Sequence, residues 1–316
     1  MPAKRRIIID TDPGQDDAVA ILTALASPDD FEILGIVAVA GNAPLAHTER
    51  NARRIVELAG RQEVPVYAGC ARPMVTRARI GGEHVHGRTG LDGADLPEPK
   101  VALQGEHGVD FIIAALRAAE PGSVTLCALG PLTNIAMALV KAPDIAAHVR
   151  EVVMMGGAYF EVGNITPAAE FNIYVDPEAA DVVMQSGIPI VMSPLDLTHR
   201  MLTTRERLDG FRKLGNRAGA AVAGWLGFSE RFDLAKYGSD GAPLHDPTVM
   251  AYLLKPELFT GKTVNVTIEI NSPLTLGMTV TDWWQITERP RNVLYLRDGD
   301  AEGFYGLLRE RLARLP

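Results

Sequence analysis

The chain has 316 residues, enough for one large α/β domain or about two smaller ones. Hydrophobic residues make up 47% and charged residues 22%, which permits a sizeable core and excludes global disorder. With 31 Lys plus Arg against 39 Asp plus Glu, a net charge of −8 and no basic block, the surface is unsuited to nucleic acid; two cysteines, Cys70 and Cys127, exclude a disulfide scaffold and fit a reducing compartment.

The N-terminal stretch MPAKRRIIIDTDPG starts basic, but Asp10 interrupts it after three isoleucines, too soon for the apolar core of a signal peptide. No apolar run approaches the length of a membrane span, so a cytoplasmic protein without membrane partners is expected. Residues 6–9 read as a buried strand and 16–26 as a helix, with Asp16 and Asp17 at the positive end of its dipole. A strand at 31–39, a helix at 48–59 stopped by Gly60, and a short strand at 64–67 follow. The pattern continues with a helix at 109–119, a strand at 123–128, a helix at 132–141 and a strand at 151–155. A helix at 176–186 stops at Gly187, and 188–192 is a strand. Residues 203–254 are mainly helical. Two β-rich runs at 264–270 and 276–281, a strand at 293–296 and a helix at 301–312 complete the chain.

This alternation predicts an α/β fold, a mostly parallel doubly wound sheet with helices on both faces. No repeat, low-complexity tract or Pro/Ser-rich linker divides it, so a single domain over 1–316 is expected. Two long irregular stretches, 69–99 and 156–171, come after strands, where open α/β sheets bind their ligands.

The segment Asp10-Thr11-Asp12-Pro13-Gly14-Gln15-Asp16-Asp17 places four carboxylates within eight positions after the first strand. Pro13 and Gly14 enforce a sharp turn, so Asp12 and Asp16 can point to one spot. Two like charges about 4 Å apart repel by roughly 4 kcal/mol at an effective dielectric near ~20. Clustered ionised carboxylates therefore call for a cation, and hard oxygen ligands suit Ca²⁺ or Mg²⁺. Asp16 and Asp17 taken alone also read as a helix cap.

Familiar alternatives fail on spacing. The twelfth position of an EF-hand loop would be Ile21 counted from Asp10, or Thr23 counted from Asp12, where Glu is needed. Aspartyl-phosphate phosphatases carry Thr or Val where this chain has Gly14. Gly261-Lys262-Thr263 is no P-loop, because Pro256 occupies the place of its first glycine, and no G-x-S-x-G elbow occurs. Gly130-Pro131-Leu132-Thr133-Asn134 is not a dinucleotide fingerprint.

DTDPGQDDAVAIL resembles the N-terminal signature of the nucleoside hydrolases, in their inosine–uridine-preferring group. The resemblance runs on in order through VAGN (39–42), HGRTGLDG (86–93), LGPLTNIA (129–136) and MMGGAY (154–159). It continues with AEFNIYVDPEAA (169–180), PLDLTH (194–199) and PLHDP (243–247). It implies the nucleoside hydrolase fold and Ca²⁺-dependent hydrolysis of ribonucleosides to ribose and free purine or pyrimidine base, in nucleoside salvage. It also implies a homodimer or homotetramer.

The same resemblance implies residue roles. Ca²⁺ would be held by Asp12, a bidentate Asp16, Asp246 and the backbone carbonyl of Leu129, and would in turn bind the ribose 2′- and 3′-hydroxyls and the attacking water. Asp12 matches the general base. Asp16, Asn42, Asn164, Glu170 and Asn172 would grip the ribose, Asn164 and Glu170 at the 5′-hydroxyl, with Met155 beside the sugar. His245, next to Asp246, matches the residue that protonates the leaving base. His86 matches a loop histidine that approaches the substrate, whereas His84 reads as solvated. Phe171, Phe228, Arg231 and Tyr237 are base-side or lid candidates.

Trp225, Trp283 and Trp284 lie outside 81–93 and read as packing residues, unlike the tryptophans that sandwich the base in the purine-specific subgroup. Thr11 and Gln15 depart from the family signature, and neither is a proposed ligand. Three other readings remain: a nucleoside-binding protein without catalysis, a hydrolase of another N-riboside, and a metal phosphohydrolase. Retention of both Asp12 and His245 disfavours the first, and the lack of a Lys/Arg pair beside the cluster disfavours the last.

Overall fold

The computed structural model describes residues 3–75, 81–237 and 240–316, with the side chains of 83–84 and 232–237 outside the description. The strands are β1 (Arg5–Thr11), β2 (Phe31–Ala38), β3 (Val66–Ala68), β4 (Val124–Ala128), β5 (Val149–Met155) and β6 (Ile190–Ser193). Then come β7 (Leu202–Thr203), β8 (Ala242–Pro243), β9 (Phe259–Ile268), β10 (Thr279–Asp282) and β11 (Val293–Gly299). Among the described residues nine of them form one sheet, in the order β10-β9-β11-β6-β5-β4-β1-β2-β3, while β7 and β8 pair separately. The run from β3 to β11 is parallel, and β9 and β10 add antiparallel strands at one edge.

The helices are α1 (Gln15–Leu25), α2 (Leu45–Leu58), α3 (Glu83–His86), α4 (Gly108–Arg117), α5 (Thr133–Lys141) and α6 (Phe171–Val175). The rest are α7 (Pro177–Met184), α8 (Leu195–Thr198), α9 (Arg205–Arg212), α10 (Arg217–Tyr237), α11 (Pro247–Leu254) and α12 (Ala301–Leu312). They cover both faces of the sheet. Along β1, Ile7 and Ile9 join the core under α1, α2, α10, α11 and α12, whereas Ile8 joins the core under α4, α5 and α7. That split is the period-two alternation of a strand buried on both sides. No helix among the described residues is long and apolar enough to cross a membrane.

The doubly wound sheet expected from the alternation is therefore present. The differences are local. β9 starts at Phe259 rather than at residue 264, because the polar Thr260–Lys262 stretch pairs through its backbone with β11. β10 starts at Thr279 rather than at 276, because Gly277 turns the chain at φ +79°. α3, α6 and α8 are too short to show a helical period in sequence.

Strand order reverses between β1 and β4: β2 and β3 lie on one side, β5 and β6 on the other. Parallel strands whose order reverses in this way open a crevice at their carboxyl ends. The segments that leave those ends are Asp12–Gly14 after β1, Gly41–Asn42 after β2, Leu129–Gly130 after β4 and Gly156–Gly157 after β5.

Candidate active site

Asp12 leaves β1 fully buried. Its Oδ2 accepts the backbone N–H of Asn42 at 2.7 Å, while its Oδ1 is buried without a hydrogen-bond partner. The carboxylate lies between the backbones of Gly41 and Gly130, where a Cβ at either position would collide with it. The glycines of the VAGN and LGP motifs are thus required by the close approach of Asp12.

The turn at Pro13 and Gly14 starts α1, and Asp17 sits in its first turn. The Asp17 carboxylate accepts Thr11 Oγ1 at 2.5 Å, the backbone N–H of Gly14 at 2.9 Å and the backbone N–H of Asp12 at 3.2 Å. Asn42 Nδ2 donates to it at 3.2 Å. Asp17 therefore does cap the helix start, as its position in sequence suggests, but it also faces Asp246. Asp246 is the N-cap of α11, and its carboxyl hydrogen-bonds to that of Asp17. Ligand-type oxygens of Asp16, Asp17 and Asp246 lie within 4.8 Å of one another.

Burial pushes all four carboxyls upward from their ordinary range. For Asp12 burial leads, followed by the charge of Asp17; for Asp246 burial leads, followed by the charges of Asp16, Asp17 and Asp12. Asp16 and Asp17 are raised mainly by burial, and the charge of Asp16 adds to the rise at Asp17. A group of buried carboxylates with one orphaned oxygen fits a divalent cation, whose charge would hold them ionised.

Asp10 does not belong to this group, contrary to the grouping of four carboxylates in sequence. It is one strand position from Thr11 and so faces the other side of β1, where Asn134 of α5 donates to its Oδ1 at 3.3 Å. Burial pushes it well up as well.

One cavity opens beside the cluster. Asp16, Asn42, Leu129 and Asp246 line it at the metal end. Met155, Asn164, Glu170, Phe171 and Asn172 line it from the segment after β5, and His86 and His245 line it from opposite parts of the chain. Asp16, Asn42, His86, Met155, Asn164, Glu170, Phe171, Asn172, His245 and Asp246 thus meet in one place. Asp12 does not reach the wall; it lies behind it, fully buried.

The local geometry explains the Asn-x₅-Glu-x-Asn pattern. Asn164 Oδ1 accepts the N–H of Phe171 at 2.8 Å. Glu170 caps α6 by accepting the N–H groups of Asn172 and Ile173, and its Oε2 also accepts from Gly157 at 3.0 Å. Burial raises its carboxyl to about 7 in spite of these donors. Asn172 Nδ2 donates to the Leu129 carbonyl at 2.8 Å and to Met155 O at 3.2 Å. The Leu129 carbonyl, just past the end of β4, is thereby fixed in direction by Asn172. His245 Nδ1 lies 2.8 Å from Thr198 Oγ1 at the end of α8.

Of the base-side or lid candidates, Phe171 lines the cavity. Phe228 and Arg231 do not line the cavity; the Arg231 guanidinium stacks 4.3 Å over the Phe228 ring, and Phe228 packs beneath Gly93. Leu226 and Ser229 line it instead, being three residues apart on one face of α10. The side chains of Tyr237 and His84 lie outside the described residues. Trp225 is core, as expected of a packing residue, and Trp283 makes edge contacts with Phe160 and Tyr295, whereas Trp284 is exposed and does not pack as expected.

The family model of inosine–uridine preferring nucleoside hydrolases matches residues 7–306. The chain belongs to that family. It is a ribonucleoside hydrolase, an enzyme that cleaves N-glycosyl bonds. The pyrimidine-specific ribonucleoside hydrolase RihA of Photobacterium profundum is 47% identical over 98% of this chain and 99% of its own length. An uncharacterised protein of Schizosaccharomyces pombe is 54% identical over 98% of this chain and 100% of its own. Among solved structures, the purine-preferring ribonucleoside hydrolase of Gardnerella vaginalis superposes with a TM-score of 0.91 at 31% identity, covering 98% of both chains.

Three residues of this nucleoside hydrolase escaped the sequence reading. Asp17 belongs to the acidic run and to the helix start in sequence, but the resemblance gives it no place among the Ca²⁺ ligands. Gln15 was noted only as a departure. Asp196, inside the PLDLTH motif, accepts the N–H groups of Tyr159, Phe160 and Glu161 at 3.1, 2.7 and 3.1 Å and the Tyr295 hydroxyl at 2.6 Å. It anchors the start of the segment that carries Asn164 and Glu170. Its place in a family motif was the available signal.

Proposed function

We propose that this chain hydrolyses ribonucleosides in a Ca²⁺-dependent reaction, with pyrimidine ribonucleosides preferred. The observation that carries the metal dependence is the convergence of Asp16, Asp17 and Asp246, with Asp12 buried behind them, at the end of a cavity lined by amides and carboxylates. The base preference rests on the pyrimidine-specific name of a relative 47% identical over nearly the whole chain.

Asp12, Asp16, Asp17, Asp246 and the Leu129 carbonyl are the groups to hold the ion. An all-oxygen set of this kind suits Ca²⁺. Bound there, Ca²⁺ supplies charge that lowers the pKa of a water and orients the ribose diol. Asp12 is the general base, because its Oδ1 carries no donor and its Oδ2 is fixed by the Asn42 N–H. Asp16, Asn42 and Asn172 bind the ribose hydroxyls, and Asn164 and Glu170 the 5′-hydroxyl. The bond that breaks joins the anomeric carbon to the base nitrogen through an oxocarbenium-like sugar. His245 donates the proton that the departing base needs, held by Thr198. Base salvage in the cytoplasm by a homodimer or homotetramer belongs to the same proposal, and the family resemblance is what supports it.

The test is release of base from uridine, cytidine and inosine with and without chelator. The expected result is turnover restored by Ca²⁺ and higher kcat/KM for the pyrimidine nucleosides. Full activity after exhaustive chelation would overturn the metal dependence, and a higher kcat/KM for inosine would overturn the base preference.

A further inference from the structure

Gln15 departs from the family signature, and its carboxamide is buried at the junction of α1 with the segment after β3. Its Nε2 donates to two backbone carbonyls, those of His86 and Asp92, each at 3.0 Å. Its Oε1 lies 2.6 Å from His86 Nδ1. The two carbonyls settle which way the amide points, because only the NH₂ end can face two acceptors. The atom facing Nδ1 is therefore an acceptor, and Nδ1 must carry the proton. In the neutral ring, Nε2 is then the acceptor nitrogen.

The imidazole has little freedom to escape this arrangement. A Cβ on Gly14 would lie 2.6 Å from Nδ1 and 2.8 Å from Cε1, and a Cβ on Gly82 would lie 2.8 Å from Cδ2. The ring is held in a slot between two glycines. The His86 N–H donates to the Gly82 carbonyl at 2.8 Å, and Asn51 Nδ2 ties the same segment to the turn before α1 through Pro13 O at 3.1 Å and Thr89 O at 2.9 Å.

We propose that Gln15 is a positioning residue that holds His86 as the Nδ1–H tautomer, so that neutral His86 accepts a hydrogen bond from an N–H or O–H of the nucleoside rather than donating one to the leaving base. The inference rests on the proposed function, because the cavity that would hold the nucleoside is lined by His86. It separates the two cavity histidines by role: His86 recognises, and His245 donates. It also links recognition to the metal end, since Gln15 directly precedes Asp16 and Asp17 on α1.

The test uses the full-length Ca²⁺-loaded enzyme with ¹⁵N-labelled histidine. Long-range ¹H–¹⁵N spectra show which ring nitrogen is protonated, and the His86 signals are those absent from His86→Ala. The expected wild-type pattern is a protonated Nδ1 and an Nε2 that carries no proton. In Gln15→Met the Nε2–H tautomer should appear, and KM for uridine should rise about three- to tenfold, the worth of one hydrogen bond, with a smaller change in kcat. Gln15→Glu keeps an acceptor at Nδ1 and should keep the Nδ1–H tautomer, which a merely structural role for Gln15 would not require. A wild-type His86 protonated at Nε2, or a Gln15→Met spectrum unchanged from wild type, would overturn the proposal. An unchanged KM in His86→Ala would instead remove His86 from the substrate and overturn that part of the proposed function, with the spectra still deciding what Gln15 does.

Discussion

Asp17 and Asp246 meet carboxyl to carboxyl, one in the first turn of α1 and the other at the N-cap of α11. Two buried acids at two helix N-termini draw some stabilisation from the helix dipoles, but lost hydration pushes both upward in pKa, and the charge of Asp16 adds to the rise at each. A cation between them and Asp16 would remove that conflict.

Replacement of Asp17 by Asn should therefore reduce kcat/KM for uridine by more than about 100-fold at limiting Ca²⁺, comparable to or beyond the cost of disturbing groups that merely support a metal ligand. Calorimetric Ca²⁺ binding should weaken in parallel. A variant within a few-fold of wild type in both measurements would remove Asp17 from the ion site.

Asp10→Asn provides the contrast. Asp10 faces Asn134 on the opposite side of β1, and burial already holds its carboxyl far above the usual range. A neutral isostere should leave uridine hydrolysis and Ca²⁺ affinity within about two- to threefold, a change below roughly 1 kcal/mol. Asp12→Asn should abolish turnover in the same assay. Equal losses for the two variants would contradict the separation of Asp10 from the cluster.

The metal-free protein should lose stability as pH rises. The folded pKa values of Asp12, Asp16, Asp17 and Asp246 lie above the ordinary 3.8, so the folded state holds protons that the unfolded state releases. Their contribution is fully present below about pH 4 and is lost as pH climbs through the raised values. The Tm of chelated enzyme should fall between pH 5 and about pH 8, and added Ca²⁺ should raise Tm more at the higher pH, because the ion binds the deprotonated ligands. A Ca²⁺ shift that is the same at both pH values would count against it.

Glu170 should show a similar dependence within a narrower window. Its carboxyl moves from 4.5 to about 7 on folding, so its stabilising share is lost as pH rises through about 7. Glu170→Gln should flatten the Tm profile between pH 5 and about pH 8. It should also raise KM for uridine roughly tenfold while barely changing KM for 5′-deoxyuridine, as expected when one hydrogen bond to the 5′-hydroxyl is removed.

His245→Ala should lower kcat for uridine by about 10²- to 10⁴-fold, the usual worth of general acid catalysis. A nitrophenyl riboside, whose leaving group needs no proton, should lose far less. Thr198→Val, which deletes the hydroxyl 2.8 Å from Nδ1, should reproduce the same substrate contrast at roughly tenfold. Equal losses on both substrates would show that His245 does not act on the leaving group.

Much of this was already legible in the order of residues. The alternation of apolar runs with helical patterns determined the doubly wound sheet, because a strand buried on both faces and an amphipathic helix have different periods. The motifs determined the family, and with it the members of the cavity from Asp16 to Asp246. Only the tertiary structure decided how those members divide their work. Strand alternation turned Asp10 away and helix pitch brought Asp17 in, although both lie in the same acidic run. Helix pitch likewise placed Leu226 and Ser229, rather than Phe228 and Arg231, on the cavity wall. The tether from Gln15 to His86 joins segments that only folding makes neighbours. Local chemistry is written along the chain, whereas direction and distance in space arise when separate strands and helices are packed against one another.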